Sequence, residues 1–515
     1  MLKKNHPRMT DMIRQPFVLL SGIILLLGGC NMAPQYARTE APIPADWPNG
    51  PAYESNQFSQ DTPVATELAW QDFFHDAKLQ QIIETALENN RDLRLAAHNV
   101  EQARALYGVQ RAELLPSLSA IAAGSKQRSS SDLTPFGQPR TTEVYDINLG
   151  VISWEVDFFG RIRSLEEQAM QEYLATEQAR RSAQIALVSQ VASVYLAIAA
   201  DQANLNLACS TLETQQGVYD LIRQQYEVEL ANKIDLRRAQ TQVDVARGDV
   251  ARYTQLVAQG RNALNLLAGT EVSEDLLASD LANVEPFQDI SLGLPSEVLF
   301  CRPDIMAAEH QLKGAYAFVG AARAAFFPRI SLTTAIGTAS DELSGLFSGG
   351  NGTWRFAPQI VAPIFDARTW AAYKVSKSTQ ELALTQYEKA IQTAFKEVAD
   401  VLAVRGTVNQ QVSAQQSVVD ASGQIYSLAN TRYTNGIDSY LSVLDAQRSL
   451  YAAQQALTFL ELAKFTNQVT FYAVLGGGGE RAEATAYALD GGEGGGVGAS
   501  ESGEGVSDGN AGDVF

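Results

Sequence analysis

The longest regular pattern of apolar residues lies in 161–269, a stretch that contains no proline. Apolar side chains recur there every seven residues with a second apolar position beside them, which is the pattern of a coiled-coil seam. The first position holds Val191, Ile198, Leu205, Leu212, Tyr219 and Tyr226, and the second holds Leu187, Val194, Ala208 and Ile222. The pattern predicts a helix over 161–229, a reversal near Ala231–Asn232 and a returning helix over 232–268. At about 1.5 Å per residue, the first helix would be a rod of roughly 100 Å.

A second pattern has a period of two and predicts a β-strand with one apolar face. Its apolar positions are Tyr145, Ile147, Leu149 and Val151, separated by Asp146, Asn148 and Gly150. After Ser153 the apolar positions change parity to Trp154, Val156 and Phe158. Such a change indicates a bulge or the exit from a sheet.

Both patterns occur twice. Tyr226 and Tyr433 are 207 residues apart, and Pro116 and Pro328 are 212 apart. A gap of five residues between the strands reconciles the two offsets, so the chain is predicted to contain two copies of a helix–strand–strand–helix–helix unit. All 17 prolines lie in 7–63, 116–139, 286–303 and 328–363. Because proline breaks helix interiors, the long helices must lie between these clusters.

The predicted organisation has six parts. They are a signal peptide (1–29), an extended strap (30–69), repeat 1 (70–269, strands about 117–125 and 142–158, long helices 161–229 and 232–268), an equatorial linker (270–301), repeat 2 (302–475, strands about 329–339 and 353–365, long helices 367–433 and 438–474) and a disordered acidic Gly-rich tail (476–515). Within repeat 1, the region 76–114 is also predicted to be helical.

Four amphipathic strands cannot close a membrane barrel, because single-chain barrels start at about eight strands and lipid tolerates no open edge. Three chains would supply twelve strands and, with four long or medium helices each, a ring of twelve helices. The alternative is a small soluble sheet whose apolar face packs on helices. Asp201, Gln215 and Gln216 interrupt the helical seam, which fits either a polar lumen face or plain solvent exposure.

The N-terminus predicts export. Basic residues precede a short apolar run, Phe17–Leu27, which is too short for a membrane-spanning helix. The run ends in Leu27-Gly28-Gly29-Cys30, which resembles the bacterial lipobox and predicts that Cys30 becomes the acylated first residue, carrying S-diacylglycerol and an N-acyl chain such as palmitate. The competing interpretation is a transmembrane anchor. Asn31, where an aspartate would indicate retention at the inner membrane, favours the outer membrane.

Composition excludes several classes of function. The formal net charge of -19 argues against nucleic-acid binding. None of the four histidines has metal-ligand spacing to another, and the Gly476–Gly479 run lacks the Lys-Ser/Thr of a phosphate-binding loop. Cys209 and Cys301 are predicted to be ordinary small apolar residues. No catalytic, cofactor or metal site is predicted, and enzymatic function is not expected.

Several motifs resemble those of the TolC family of outer-membrane channel proteins, and the lipobox is typical of the lipidated OprM- and NodT-like branch. The motifs are Trp154-Glu-Val-Asp-Phe-Phe-Gly160-Arg161-Ile-Arg163, Arg302-Pro303-Asp304-Ile305, Phe327-Pro328-Arg329-Ile330 and the segment from Arg432 to Arg448 with its Asp438-Ser-Tyr440-Leu and Leu444-Asp445-Ala446-Gln447 elements. The resemblance covers about 70–475.

The resemblance implies a homotrimer with a 12-strand outer-membrane β-barrel continued by a 12-helix α-barrel in the periplasm. Such proteins are passive efflux ducts for drugs and small amphipathic compounds. Their implied partners are a periplasmic adaptor, an inner-membrane pump of the resistance-nodulation-division type and outer-membrane lipid, with no nucleic acid.

The resemblance also implies that the duct closes where the paired helices reverse, at 226–236 and 433–443. Asp438 and Tyr440 would lie near this aperture, with Arg432, Asp445 and Arg448 as possible latch partners, although ordinary surface charges at a helical hairpin would look the same. Glu229 stands where the second copy has Gly436, so the first reversal need not share the glycine turn. Two other functions stay open: the duct of an ATP-driven type I secretion system, and a periplasmic coiled-coil lipoprotein without a pore.

Overall fold

The structure, a computed structural model, describes residues 31–53, 63, 65, 68–135, 137–291 and 299–477. Within these ranges the helices and strands are, in chain order, α1 (Trp70–Phe73), α2 (Ala77–Asn89), α3 (Arg91–Ala112), β1 (Leu118–Ser129), β2 (Arg140–Val156), α4 (Arg161–Glu227), α5 (Lys233–Ala268), α6 (Pro303–Ala324), β3 (Arg329–Ser340), β4 (Gly352–Val361), α7 (Ala367–Thr434) and α8 (Tyr440–Val474). The signal peptide, Cys30 and the tail beyond 477 lie outside the described residues.

The order α3–β1–β2–α4–α5 is repeated as α6–β3–β4–α7–α8. The two sequence offsets carry the boundaries of β1 and of the three helices of the first copy onto the second to within one residue, whereas β2 has 17 residues and β4 has 10. The prolines bound the helices as predicted, since Pro303 is the first residue of α6. The Asp366 side chain caps α7 by accepting a hydrogen bond from Arg368 N at 2.9 Å. The local sequence signals therefore place both copies.

The region predicted to be helical, 76–114, contains two helices that meet at Asn90. The Asn90 side chain accepts a hydrogen bond from Leu93 N at 2.9 Å and donates to Leu267 O, also at 2.9 Å. The first bond caps α3 and the second ties the corner to the end of α5, so a contact distant in sequence supports the break.

The strands form one antiparallel sheet in the order β1–β2–β3–β4. Between β2 and β3, Leu149 pairs with Ile336 and the pairing is regular as far as Val151 with Thr334. The next pair is Trp154 with Leu332, so β2 has one residue more than β3 between these two pairs. The irregularity is a bulge at Ile152–Ser153, and Ser153 has a φ of 53°. The change of parity in the sequence is thus a bulge, and it returns Trp154 to the face that carries Val151.

Directly paired residues of an antiparallel sheet share a face, so the register assigns every side chain. The apolar face carries Leu118, Ala120, Ala122, Ile147, Leu149, Val151, Trp154, Ile330, Leu332, Ile336, Trp354, Phe356 and Ile360. The opposite face carries Asp146, Asn148, Ser331, Thr333, Thr353, Arg355 and Gln359. No helix covers the apolar face in the described chain: Trp354 is 80% exposed and Ile336 is 68% exposed. The alternative of a soluble sheet packed on helices is therefore wrong.

Next to the sheet, the helices that enter and leave the strands stand in the same order as the strands. α3 packs on α4, α4 on α6 and α6 on α7. The two outer helices carry exposed apolar side chains, among them Leu95, Leu106 and Val109 on α3 and Trp370, Val375 and Leu382 on α7. The sheet and this row of helices thus have uncovered flanks on matching sides.

The core lies where α1, α2 and the linker wrap around the middle of α4 and α7. Phe73 stacks on Tyr472 with ring centroids 4.1 Å apart, and Phe287 of the linker packs against both Phe73 and Phe74. Tyr195 donates to Asp76 Oδ2 at 3.2 Å, which joins the start of α2 to α4. These contacts bring the linker, the first helices and the last helix into one apolar cluster.

The described part of the strap, 31–53, lies along α6 and α7. Arg38 Nη2 pairs with Glu309 at 2.9 Å, Tyr36 donates to the same carboxylate at 2.9 Å, and Trp47 stacks on Phe395 at 5.1 Å. The Arg323 guanidinium donates to Met32 O at 3.3 Å, near the end of α6 that precedes β3. The strap therefore begins close to the sheet and runs away from it.

Candidate functional site

The candidate site comprises two helical reversals, each five residues long. The first reversal, 228–232, joins α4 to α5 (hairpin one), and the second reversal, 435–439, joins α7 to α8 (hairpin two). In hairpin two, Gly436 N donates to Tyr433 O and Ile437 N donates to Arg432 O, both at 2.9 Å. In hairpin one, Glu229 N donates to Tyr226 O at 3.1 Å and Leu230 N to Gln225 O at 2.8 Å. Both are the Schellman arrangement that ends a helix.

The sequence left open whether the first reversal shares the turn of the second, and the structure shows that it does. The backbone at Glu229 has a φ of 65° and that at Gly436 a φ of 70°. This left-handed conformation costs glycine little, but it costs a residue with a Cβ roughly 1–2 kcal/mol. Glu229 holds it because the neighbouring hydrogen bonds and Asn232, whose side chain accepts from Ile234 N and Asp235 N, define the turn.

The two hairpins pack against each other beside the reversals through a small apolar cluster. Its buried members are Ile222, Ala239, Tyr440, Val443 and Leu444. Tyr440 is only 6% exposed, and its ring lies 5.5 Å from that of Tyr433. Burial raises the pKa of the Tyr440 phenol, and its hydroxyl has no hydrogen-bond partner among the residues the structure describes. Tyr440 thus belongs to the packing between the hairpins.

Arg432 and Asp438 form a two-pronged ion pair across the second reversal. Arg432 Nε donates to Asp438 Oδ2 at 2.6 Å, and Nη2 donates to Oδ1 at 3.1 Å. The hydrogen bonds from Arg432 hold the pKa of Asp438 below its ordinary value. The structure therefore brings these two predicted residues together. Their ion pair closes the second reversal, which contains Gly436.

Asp445 and Arg448 are exposed on α8 and take no part in this pair. Within the described ranges neither makes an ion pair, so the structure does not join them to Arg432 or Asp438. Their predicted role as latch partners remains a prediction. Gln215, expected on a lumen or solvent face, is instead 4% exposed, and Asp201 is half-buried, which raises its pKa.

A further polar connection between the hairpins was not predicted. Tyr451 of α8 donates to Asp249 of α5 at 3.2 Å, and Gln455 donates to the hydroxyl of Tyr253 at 2.9 Å. Burial, followed by the charge of Asp249, raises the pKa of Tyr451. Tyr253 lies at one apolar position of an amphipathic helix, so its spacing indicated burial but not its polar partner.

Cys30, the predicted lipidation site, lies outside the described residues. Cys209 and Cys301 are exposed. Among the residues that the structure describes, no group of three or more potential ligands could hold a metal ion.

Comparison with known proteins adds to this geometry. The family model described as outer membrane efflux protein matches residues 82–270 and 294–477. The chain is 48% identical over 454 residues to the antibiotic efflux pump outer membrane protein ArpC of Pseudomonas putida, covering 88% of this chain and 93% of that protein. The toluene efflux pump outer membrane protein TtgC of a Pseudomonas putida strain gives the same identity and coverage.

Among solved structures, the chain is similar to the open state of the Neisseria gonorrhoeae MtrE outer membrane channel. The two share 37% identity with a TM-score of 0.78 over 88% of this chain and 99% of that one.

Proposed function

Because the chain belongs to the outer membrane efflux protein family, we propose that three copies of it assemble into one continuous duct across the periplasm and the outer membrane. The protein is an outer-membrane efflux channel that extends into the periplasm. In the proposed assembly, three four-stranded sheets form a 12-strand barrel and the long helices form a 12-helix tube beneath it.

The observation that carries the trimer is the matching pair of uncovered flanks. Strands β1 and β4 are the edges of the described sheet, and lipid leaves no partner for their free N–H and C=O groups. The outer helices α3 and α7 bear exposed apolar side chains on matching sides. Edge β1 of one copy pairing with edge β4 of the next would cover the strand and helix flanks together.

The two faces of the sheet suit a water-filled barrel. The uncovered apolar face would meet lipid, and the face with Asp146, Asn148 and Arg355 would line the lumen. The chain is then a passive conduit that needs a periplasmic adaptor and an inner-membrane, proton-driven pump for energy. Small amphipathic compounds, including antibiotics and solvents such as toluene, are the proposed cargo, in keeping with the printed names of ArpC and TtgC.

Cys30 is proposed as the lipidated first residue of the exported chain. Support comes from Met32 and Ala33, which lie against Arg323 and Gly320 at the sheet-proximal end of α6. The described start of the strap therefore lies near the membrane level that the sheet defines. Intact mass of the purified chain tests this, since Cys30→Ser would lack the diacylglycerol and acyl chains.

The aperture is proposed at the two reversals. Asp438 and Arg432, paired at the second reversal, and Tyr440, packed between the hairpins, would set the positions of the helix ends. Asp445 and Arg448 face outward from one chain, where a neighbouring copy could meet them.

The assembly is tested on the full chain purified in detergent. Light scattering is expected to give the mass of three chains, and planar bilayers containing it are expected to show discrete conductance steps. A monomer without conductance would reject the duct. A cell that lacks the chain but keeps its pump is expected to lose tolerance to toluene, and to regain it with the wild-type gene.

A further inference from the structure

A basic pair continues the apolar face of β1 beyond its apolar positions. Leu118, Ala120 and Ala122 share one face with Lys126 and Arg128, because residues two apart on a strand point the same way. Both basic side chains are exposed. The apolar stretch is helix-proximal and the basic pair is helix-distal, so the pair lies at the end of the barrel farthest from the periplasm.

The hairpin that carries this pair extends past its neighbour. The last β2–β3 pair is Tyr145 with Ser340, whereas the β1–β2 pairing continues to Ser129 with Arg140. Five further residues of β2 rise about 3.4 Å each, which lifts the hairpin by roughly 17 Å above the end of β3. Lys126 and Arg128 therefore stand above the apolar band on its lipid side.

The two basic side chains of this surface differ in whether they already form an ion pair. Lys126 forms an ion pair with Glu143, which lies directly across from it on β2. Arg128 faces Thr141 and has no ion-pair partner among the described residues. A planar guanidinium offers two parallel N–H donors, the arrangement that fits phosphate.

We propose that Arg128, supported by Lys126, binds the phosphate groups of lipid A in the outer leaflet of the outer membrane. Each copy would present one such basic surface around the barrel rim. The inference rests on the proposed function, because it requires that the apolar face of the sheet meets lipid.

The opposite face of the same hairpin supplies a matched control. Arg140 pairs across from Ser129 and so points to the lumen side, a few residues from Arg128. It carries the same charge at the same height, yet it would not reach lipid. A purely electrostatic attraction would involve both arginines, whereas the proposed contact involves only Arg128.

The experiment measures binding of fluorescent diphosphoryl lipid A to the full-length trimer in detergent. Arg128→Gln is expected to weaken binding by tenfold or more, and Lys126→Gln/Arg128→Gln at least as much, while Arg140→Gln stays within about twofold of wild type. Phosphatidylglycerol, an anionic lipid without the sugar phosphates, is expected to compete poorly. Equal losses in Arg128→Gln and Arg140→Gln, an unchanged double variant or effective competition by phosphatidylglycerol would overturn the proposal.

Trimer mass and bilayer conductance are recorded for the same preparations. A trimer that conducts but binds lipid A no better than phosphatidylglycerol refutes only the lipid contact. A wild-type chain that is monomeric and does not conduct refutes the duct and, with it, the lipid contact.

Discussion

Glu229 and Gly436 occupy the same position in the two reversals and share a left-handed backbone, with φ values of 65° and 70°. The same pair of hydrogen bonds closes each turn. The second copy has a glycine here, which adopts this conformation readily. The first copy has Glu229, whose Cβ makes the same conformation strained. The reversals are thus alike in backbone geometry and differ in local stability.

Replacing Glu229 with glycine is expected to stabilise the first reversal by about 1 kcal/mol, because glycine accepts a positive φ without a Cβ clash. Hydrogen exchange of the amides in 224–236 measures the change, as slower exchange in Glu229→Gly. Gly436→Ala is the matched control and is expected to speed exchange around 431–441. Faster exchange in Glu229→Gly would mean that contacts of the carboxylate outweigh the strain.

Replacing Asp438 with alanine is expected to raise single-channel conductance while leaving the trimer intact. The change removes the ion pair with Arg432 that closes the second reversal, so the ends of α7 and α8 are held less firmly. Planar-bilayer recordings measure this. Glu227→Ala, which removes the exposed pair with Arg223 in hairpin one, serves as the control and should leave conductance near that of wild type.

The same pair predicts how hairpin two responds to acid. Since the pKa of Asp438 is lowered in the folded chain, its contribution is complete above the ordinary value of 3.8 and is lost as pH falls through the lowered one. Hydrogen exchange of 431–441, corrected for intrinsic rates, should therefore differ between wild type and Arg432→Gln at pH 5–7. The difference should vanish at the lowest pH values. A difference that persists there would show that the effect does not come from the ion pair between Asp438 and Arg432.

Arg302 joins three segments, and its loss is expected to destabilise the chain by about 2 kcal/mol. Its guanidinium donates to Asp304, to Glu397 at 2.8 Å and to Val474 O at 2.9 Å. Thermal unfolding in detergent, followed by circular dichroism, should show a lower midpoint for Arg302→Ala. Arg302→Lys should have a midpoint between those of Arg302→Ala and wild type, since lysine lacks the forked N–H donors of a guanidinium. Arg223→Ala, at an exposed pair, should change the midpoint little.

Replacing Gly406 with alanine is expected to displace the strap from α7. A Cβ at this position would lie 2.0 Å from Ala52 O, which backbone cannot accommodate without moving. Faster hydrogen exchange in 45–53 would report it. Gly217→Ala, where nothing lies within 4 Å of the added carbon, should leave the strap in place and slightly stabilise its helix. Unchanged exchange in Gly406→Ala would show that α7 yields instead.

Much of the fold was predictable because its signals are local. Heptad spacing and the absence of proline predicted helices over 161–229 and 367–433, and the structure has Arg161–Glu227 and Ala367–Thr434. The parity change after Ser153 predicted a bulge or the exit from the sheet, and the structure has a bulge. The resemblance to outer-membrane channels is confirmed by the family match.

The details of the site were less predictable. Residue type left open whether Glu229 adopts a glycine turn. The backbone adopts it because the flanking hydrogen bonds and the packing of hairpin one outweigh a strain of order 1 kcal/mol. Arg432, Asp445 and Arg448 were equal candidates as partners of Asp438, and only the folded chain selects Arg432.

The sequence by itself determined where the long helices begin and end and that the unit occurs twice, since these properties depend on local residue patterns. Only the tertiary structure decided that Arg38 meets Glu309, that Tyr440 is buried between the hairpins and that Asn90 breaks a helix. Such pairings join segments up to hundreds of residues apart. Many polar residues could satisfy each one, and only the packing of the whole chain selects the partner.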